Sequence, residues 1–552
     1  MNKKFKLSLL SAIFSFSINT AYALNPPTAY TNTGNNTFIF FENNIDNEYF
    51  IASSALNPRF TGSNVWTRYG RSSERQDSLG YMGRDTGLRN NNFIDLWLEN
   101  SDMRNPFQGL RCRTRNANEC PSTGFVSPEF VDDIGAYKMI AGGNEYTGNA
   151  VRASFGPQAY EYLRSLSIGS VRNFDLHACE TTENYNPALG QRCKDANAGR
   201  WRKFGINVTK NGHVQLFDTR AFSEIWVATD GTPSLSSNSE FCEQTVINAG
   251  GNALQREGIA CRMLQYNLEG PMSNFANALR FYMVVDTAAL GGVNLNEYDI
   301  RINGGNGDWK RFNQTGVDNA MNRMFQTGNG FVTVLFTRSF FQKMLAAGGS
   351  TSGRQGIFTF AVENTVTPQS GYYQFSSGVD IDIIPREYGI SIRHQNQNER
   401  VKTGRIGEDE EDIRFDYIVT QSAPRRADVV QASVIGESNV NAGRSYCLFR
   451  SNDNAMSVRI PAYLSYTHSS GNVVEQYSGC DSNATLDMTN ANWSAVPWDQ
   501  QQSGYFYSTN LSLSFPMNDP ASLFSVEGMD WLGSVRAEGD VRVEALWIGV
   551  DR

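Results

Sequence analysis

The stretch Gly533-Ser-Val-Arg-Ala-Glu-Gly-Asp-Val-Arg-Val-Glu-Ala-Leu-Trp-Ile-Gly-Val550 decides how the chain folds. Val535, Ala537, Val541, Val543, Ala545 and Trp547 share one parity with Gly539, and Arg536, Glu538, Asp540, Arg542 and Glu544 hold the other. A period of two places the two sets on opposite faces of a β-strand, so Val541, Val543, Ala545 and Trp547 are predicted to face a core. The sequence stops at Arg552, which leaves no downstream strand to pair with this one. Two arrangements follow. Either earlier strands flank it on both sides, or it ends a sheet and shows a row of unmet N–H and C=O groups that recruits another chain.

The opposite end carries an export signal. Lys3, Lys4 and Lys6 form a basic region, Leu7 to Ile18 an apolar one, and Ala21-Tyr22-Ala23 a small-residue cleavage site, so residues 1–23 read as a secretory leader too short to span a bilayer. Removing its three lysines from the 48 basic residues leaves 45 against 56 acidic ones, a net charge of −11. That balance excludes nucleic acid and anionic lipid as electrostatic partners.

Eight cysteines suit an oxidising compartment: Cys112, Cys120, Cys179, Cys193, Cys242, Cys261, Cys447 and Cys480. Eight allow about 105 connectivities. Pairing of sequence neighbours, 112–120, 179–193, 242–261 and 447–480, is the simplest, each bond contributing on the order of 3 kcal/mol. Zinc is the competing use, but there is no C-x-x-C, and His177 is the only histidine near a cysteine in sequence.

Composition predicts a mainly β protein. There are 49 glycines, aromatics reach 12%, and long helical periodicity is scarce. Ile206 to Phe217 reads as a hairpin turning at Asn211-Gly212. Phe331 to Phe336 and Asp380 to Ile384 read as strands. Helices are expected from Pro157 to about Leu166, and from Ser339, as its cap, to Ala347 before Gly348-Gly349. Gly304-Gly305-Asn306-Gly307 reads as a hairpin loop.

Pro385 breaks a strand and begins a boundary. This divides a region 24–385, with a further division near Asp230-Gly231-Thr232-Pro233, from a domain 386–552. Short strands from Tyr388 onward, including Phe415–Thr420, Val429–Ile435 and Asn510–Phe515, predict an immunoglobulin-like β-sandwich.

No catalytic constellation emerges. His177, His213, His394 and His468 lie far apart, and G-x-S-x-G, H-E-x-x-H and P-loop motifs are absent. The acidic run Glu408–Asp412 lacks the spaced ligands of a calcium loop and reads as a solvated loop. Tyr160, Tyr162 and Trp201 are candidates for stacking on sugars if exposed, although core packing is the commoner fate of such rings. No cofactor or metal is expected.

Several segments carry a resemblance to a known family. Phe40-Phe41-Glu42-Asn43-Asn44, Leu56-Asn-Pro-Arg-Phe-Thr-Gly62, Asp77-Ser-Leu-Gly-Tyr81, Leu96-Trp-Leu-Glu-Asn100 and Gly109-Leu-Arg-Cys112 lie in the first region. Phe415-Asp-Tyr-Ile-Val-Thr420, Gly443-Arg-Ser-Tyr-Cys447, Trp493, Phe515-Pro-Met-Asn518 and Trp531-Leu-Gly-Ser-Val535 lie in the second. Together with the final strand, they make the chain similar to the tip adhesins of the E. coli common pilus, a chaperone–usher fimbrium.

The resemblance implies a non-enzymatic adhesin that attaches bacteria to host cells and builds biofilm. Its C-terminal pilin domain would be an immunoglobulin-like fold lacking one strand. A periplasmic chaperone, and then a segment of the major pilin, would complete that fold beside Val541, Val543, Ala545 and Trp547. An outer-membrane usher and a host-surface receptor, with glycans among the candidates, would be further partners. Leu24 to Asn36 lacks alternation and carries Pro26-Pro27, which makes it a poor donor strand and suits a subunit at the fibre tip. The competing class is a secreted carbohydrate-active enzyme or carbohydrate-binding protein with an accessory β-domain.

Overall fold

A computed structural model describes residues 24–550, except segments 25–26, 31–35, 54–58, 67–78, 84–91, 112–120, 141–151, 220–221, 236–238, 249–254, 272–278, 313–323, 348–355, 365–371, 378, 397–399 and 500–501. The leader at 1–23 and the Cys112–Cys120 pairing therefore lie outside the described residues. The protein is mainly β, with two short α-helices, Pro157–Ser165 and Arg338–Ala346, among the described residues.

Three cores organise these strands. The first lies between two layers. One layer runs, in hydrogen-bonded order, through Glu48–Ser53, Asn36–Asn43, Arg200–Phe217, Val171–Thr181, Phe93–Glu99 and Gly135–Ile140. The other runs through Arg59–Ser63, Tyr81–Gly83, Ala153–Phe155 and Phe107–Arg111. The helix Pro157–Ser165 adds Ala159, Tyr160 and Leu163 to this core. The second core packs Gln255–Glu269, Gly328–Thr337 and Ile300–Asn303 against the sheet of Leu279–Val285, Phe358–Asn364 and Tyr372–Ser376.

These two cores share a wall. In the hairpin of Asn36–Asn43 and Glu48–Ser53, Phe38, Phe40, Tyr49 and Ile51 enter the first core, while Ile39, Phe41, Phe50 and Ala52 enter the second. Alternate residues of a strand point to opposite faces, so an unbroken apolar run is what burial on both faces requires. Asn43 Nδ2 donates to the Tyr373 hydroxyl at 2.9 Å, and Asn364 Nδ2 to the Ser53 carbonyl at 3.1 Å, tying the wall to the second core's sheet.

Arg200–Phe217 corrects the expected hairpin. It is one strand of 18 residues with no turn at Asn211-Gly212. Neither residue has the positive φ that a type I′ turn needs. Instead, the register against Asn36–Asn43 slips between Lys210 and Gly212, so Asn211 is the extra residue of a bulge. Pairing along both edges overrides the local turn signal. The strand changes partner there, from Val171–Thr181 before the bulge to Gln255–Glu269 after it. Asp230–Thr232, by contrast, forms the turn of a hairpin joining Phe222–Val227 to Pro233–Leu235.

The helix Arg338–Ala346 is capped by Thr337, whose hydroxyl accepts from Phe340 N, and not by Ser339, which donates to Asp299 Oδ1 at 2.7 Å. Gly304–Asp308 lies between the paired strands Ile300–Asn303 and Lys310–Arg311. Bonded sulfurs join Cys179 to Cys193, Cys242 to Cys261 and Cys447 to Cys480.

The third core is a sandwich. One layer runs through Gly389–His394, Ile413–Ala423, Gln502–Phe515 and Tyr463–Thr467. The facing layer contains Val429–Gly436 paired with Gly539–Leu546, beside Arg444–Ser451 and Ser457–Ile460. Val419, Val430, Ala432, Val434, Leu464 and Leu511 fill the space between them.

Candidate functional site: an open sandwich edge

Gly539–Leu546 pairs antiparallel with Val429–Gly436, and Val541 faces Val434, Val543 faces Ala432 and Ala545 faces Val430. Among the described residues it has no hydrogen-bonded strand on its other side. Gly389–His394 likewise ends its own sheet. No strand bridges the seam between these two sheet ends among the described residues, which leaves the sandwich open along it. Of the two arrangements that the sequence allows, the structure has the sheet end. The expected strand is also shorter than the alternating stretch, because Val535–Arg536 pairs separately with Arg450 and Ser451.

Side chains along the seam match the backbone. Val541, Val543, Ala545 and Trp547 are half-buried and pack on the third core, whereas Arg542 and Glu544 on the other face are exposed. Ile390 and Ile392 from the opposite edge are half-buried on the same core. An apolar row that touches the core and still meets water is incompletely covered, and covering it is favourable by about 25 cal/mol per Å².

A groove of about 630 Å³ opens at one end of the seam, lined on one side by Ile384, Pro385, Tyr388 and Ile390 and on the other by Val543 to Trp547. The Tyr388 and Trp547 rings meet edge to face across it with centroids 5.8 Å apart. Beyond Leu546 the chain is tied down by polar contacts. Ile548 N donates to Asp428 Oδ2 at 2.7 Å, Arg425 Nη2 to the Ile548 carbonyl at 2.7 Å, and Trp547 Nε1 to the Arg425 carbonyl at 3.1 Å. The Ile548 amide, followed by the Arg425 guanidinium, holds the Asp428 carboxyl below its usual range.

The remaining sequence candidates do not converge. Tyr160 is buried in the first core, Tyr162 is half-buried with its ring edge to face with Phe174 at 6.2 Å, and Trp201 donates from Nε1 to His177 Nδ1 at 3.0 Å. Among the described residues, no group of three or more His, Cys, Asp or Glu side chains is arranged to hold a metal. What sequence reasoning missed is the wall from Ile384 to Tyr388, read there only as a boundary. Its one local signal is Pro385. The positive φ of Tyr388, 58°, has no sequence signature.

Three cores and a last sandwich with a sheet ending at Gly539–Leu546 among the described residues define a multi-unit β protein. The family follows from the sequence. The chain belongs to the E. coli common pilus adhesin family, whose EcpD N-terminal, middle and C-terminal domain models match residues 24–214, 218–380 and 387–545. It is 31% identical to the fimbria adhesin EcpD of Escherichia coli O157:H7 over 562 residues, covering 99% of this chain and 100% of that protein. It is 32% identical to that of strain K12 over 526 residues, covering 93% of each. Among solved structures, CfaE, the adhesive subunit of the CFA/I fimbria of enterotoxigenic Escherichia coli, overlaps 61% of this chain and 84% of its own, at 10% identity and a TM-score of 0.16.

Proposed function

We propose that this fimbrial adhesin sits at the tip of its fibre and is assembled by strand addition into the open seam of its last sandwich. The observation that carries the reading is the pairing of Gly539–Leu546 on one side only, with Val541, Val543, Ala545 and Trp547 left half-covered. An incoming extended segment completes the ladder with its backbone and seats alternate side chains on that row. A periplasmic chaperone fills the seam first, and the N-terminal segment of the major pilin replaces it at the outer-membrane usher. Residues 1–23 serve as the export leader, 24–385 carry the adhesive surface, and 386–552 form the pilin domain. The work of the first two units is attachment to a host-surface receptor and to neighbouring cells in biofilm, without catalysis.

The placement of the N-terminal segment supports the tip position. Thr28–Tyr30 pairs parallel with Arg202–Phe204 in the protein's own sheet, and Leu24 N donates to the Lys194 carbonyl at 3.0 Å. A segment engaged in its own domain is not free to complete a neighbour, so the fibre ends here.

The test is thermal unfolding of the mature chain with a peptide copied from the N-terminus of the cognate major pilin. A rise in the transition of the last domain, abolished by Val541→Asp with Val543→Asp, is expected. A chain indifferent to the peptide refutes strand addition.

A further inference from the structure

The groove at the end of the seam is built from two domains. The parallel strands Phe222–Val227 and Asp380–Pro385 lie side by side, with Trp226 opposite Ile384 and Glu224 opposite Asp382. Their alternate residues Ile225, Val227, Ile381 and Ile383 belong to the second core. By the period of two, Trp226 and Ile384 face the other way, toward the last domain. Contacts across the joint agree. Trp226 lies 5.3 Å from Phe506 between ring centroids, Ser391 Oγ donates to Glu224 Oε1 at 2.6 Å, and the Arg386 guanidinium sits 4.8 Å above the Trp498 ring. Arg386 N also donates to the Val227 carbonyl at 2.8 Å. The segment from Ile384 to Tyr388 is therefore anchored from both sides before it reaches the groove.

Tyr388 completes the wall at a conformational cost. A bulky residue at a φ of 58° is an outlier for an L-amino acid, and it holds its ring against Trp547. Pro385 is exposed at the rim, while Ile384 is almost wholly buried behind it.

We infer that the second unit supplies part of one end of the strand-acceptor site: its Ile384 and Pro385, with Tyr388 from the start of the pilin domain, form with Ala545 and Trp547 a composite pocket that receives the end side chain of the incoming strand. The inference rests on the strand-addition reading above and adds to it a specificity element outside the pilin domain. The occupant is an extended segment of another subunit, with apolar residues at alternate positions and an aliphatic one at the end that meets Tyr388. It is indicated by the continuity of this pocket with the unpaired edge of Gly539–Leu546. An occupied pocket braces the joint between the second and third units, because the occupant touches both.

The test uses the full mature chain and the same pilin-derived peptide. Affinity is measured by titration for the wild type, for Val543→Asp, for Tyr388→Asn and for Pro385→Asp, which charges the second unit's exposed part of the rim. Asparagine tolerates the left-handed backbone, so Tyr388→Asn removes the ring without forcing the turn. The expectation is loss of binding in Val543→Asp and about tenfold weaker binding in each of Tyr388→Asn and Pro385→Asp, the loss of roughly one well-packed contact. Hydrogen exchange on the wild type gives a readout independent of any variant, and peptide binding is expected to slow exchange at the amides of Arg386 to Ile390. Binding that Val543→Asp abolishes and that Pro385→Asp leaves within twofold overturns the second unit's share of the pocket while strand addition stands, and the same indifference in Tyr388→Asn, with no protection at Arg386 to Ile390, overturns the pocket as a whole. No binding to the wild type overturns both.

Discussion

Asn36–Asn43 and Gly539–Leu546 are strands of eight residues each, and they occupy opposite conditions. The first has hydrogen-bonded neighbours on both edges, Glu48–Ser53 and Arg200–Phe217, and a core against each face. The second has a neighbour on one edge, a half-covered apolar face and a charged face in water. A strand enclosed on four sides has its backbone and side chains met from within the molecule, whereas one enclosed on two leaves an edge and part of an apolar face to solvent. The shared wall joins the first two units through one hairpin, and the half-covered end strand Gly539–Leu546 belongs to the third.

The largest effect that tests this contrast is a pair of truncations. Phe41→Ala empties a fully buried site between two cores and is expected to cost about 3–5 kcal/mol, read by denaturant unfolding. Val543→Ala, at a position already partly in water, is expected to cost less than about 1 kcal/mol in the free chain. Equal costs would mean that the last sandwich is closed.

A second way to sharpen the comparison is pH. Where the enclosed strand meets the bulge, Lys210 Nζ donates to the Arg164 carbonyl at 2.6 Å, and His213 Nε2 lies 3.0 Å from Glu42 Oε2. Burial, then the Lys210 charge, pushes the His213 imidazole down to about 4. The neutral ring therefore donates its N–H to Glu42. The unfolded chain takes up a proton near pH 6.5, while the folded chain declines it until about pH 4. Acidification through that window binds protons to the unfolded state and destabilises the fold, by on the order of 2–3 kcal/mol. His213→Gln is expected to flatten the fall in Tm between pH 6.5 and 4, and an unchanged slope would move the titration elsewhere.

How much of this could be read in advance depended on the period of the pattern. Val541, Val543 and Ala545 stood out because half-burial preserves strict alternation. The run Phe38-Ile39-Phe40-Phe41, buried on both faces, alternates in nothing but which core it enters, so no periodicity marks it in the sequence. Asn211-Gly212 gave a sound local turn signal, and long-range pairing on both edges overrode it. Thr337 and Ser339 are both good caps, and two residues separate the reading from the structure. The wall at Ile384 to Tyr388 was illegible for a different reason: a pocket shared by two domains is a property of their docking, and no short window of sequence contains it.

The smallest expected effect concerns the far end of the open strand. Asp428 accepts from Ile548 N and from both Arg425 contacts, at 3.0 and 2.9 Å, and its side chain is about one-third exposed at 35%. A carboxyl whose folded pKa is depressed contributes stability that is present above the unfolded pKa and lost as pH falls through the folded one. Exposure screens that contribution, so Asp428→Ala is expected to leave global Tm within error. Local opening is another matter, since this clasp and the pairing with Val429–Gly436 are what restrain Trp547 and Ile548. Roughly tenfold lower protection at Ile548, relative to the intrinsic exchange rate at each pH, is expected in Asp428→Ala at neutral pH, together with the same loss of protection in the wild type once pH drops below the Asp428 pKa. Protection that is unchanged in both cases would show that strand pairing alone restrains the end. A pilin-derived peptide that restores the protection would show that an incoming strand can replace the clasp, and the open edge would then be closed from outside by the same backbone pairing that closes Asn36–Asn43 from within.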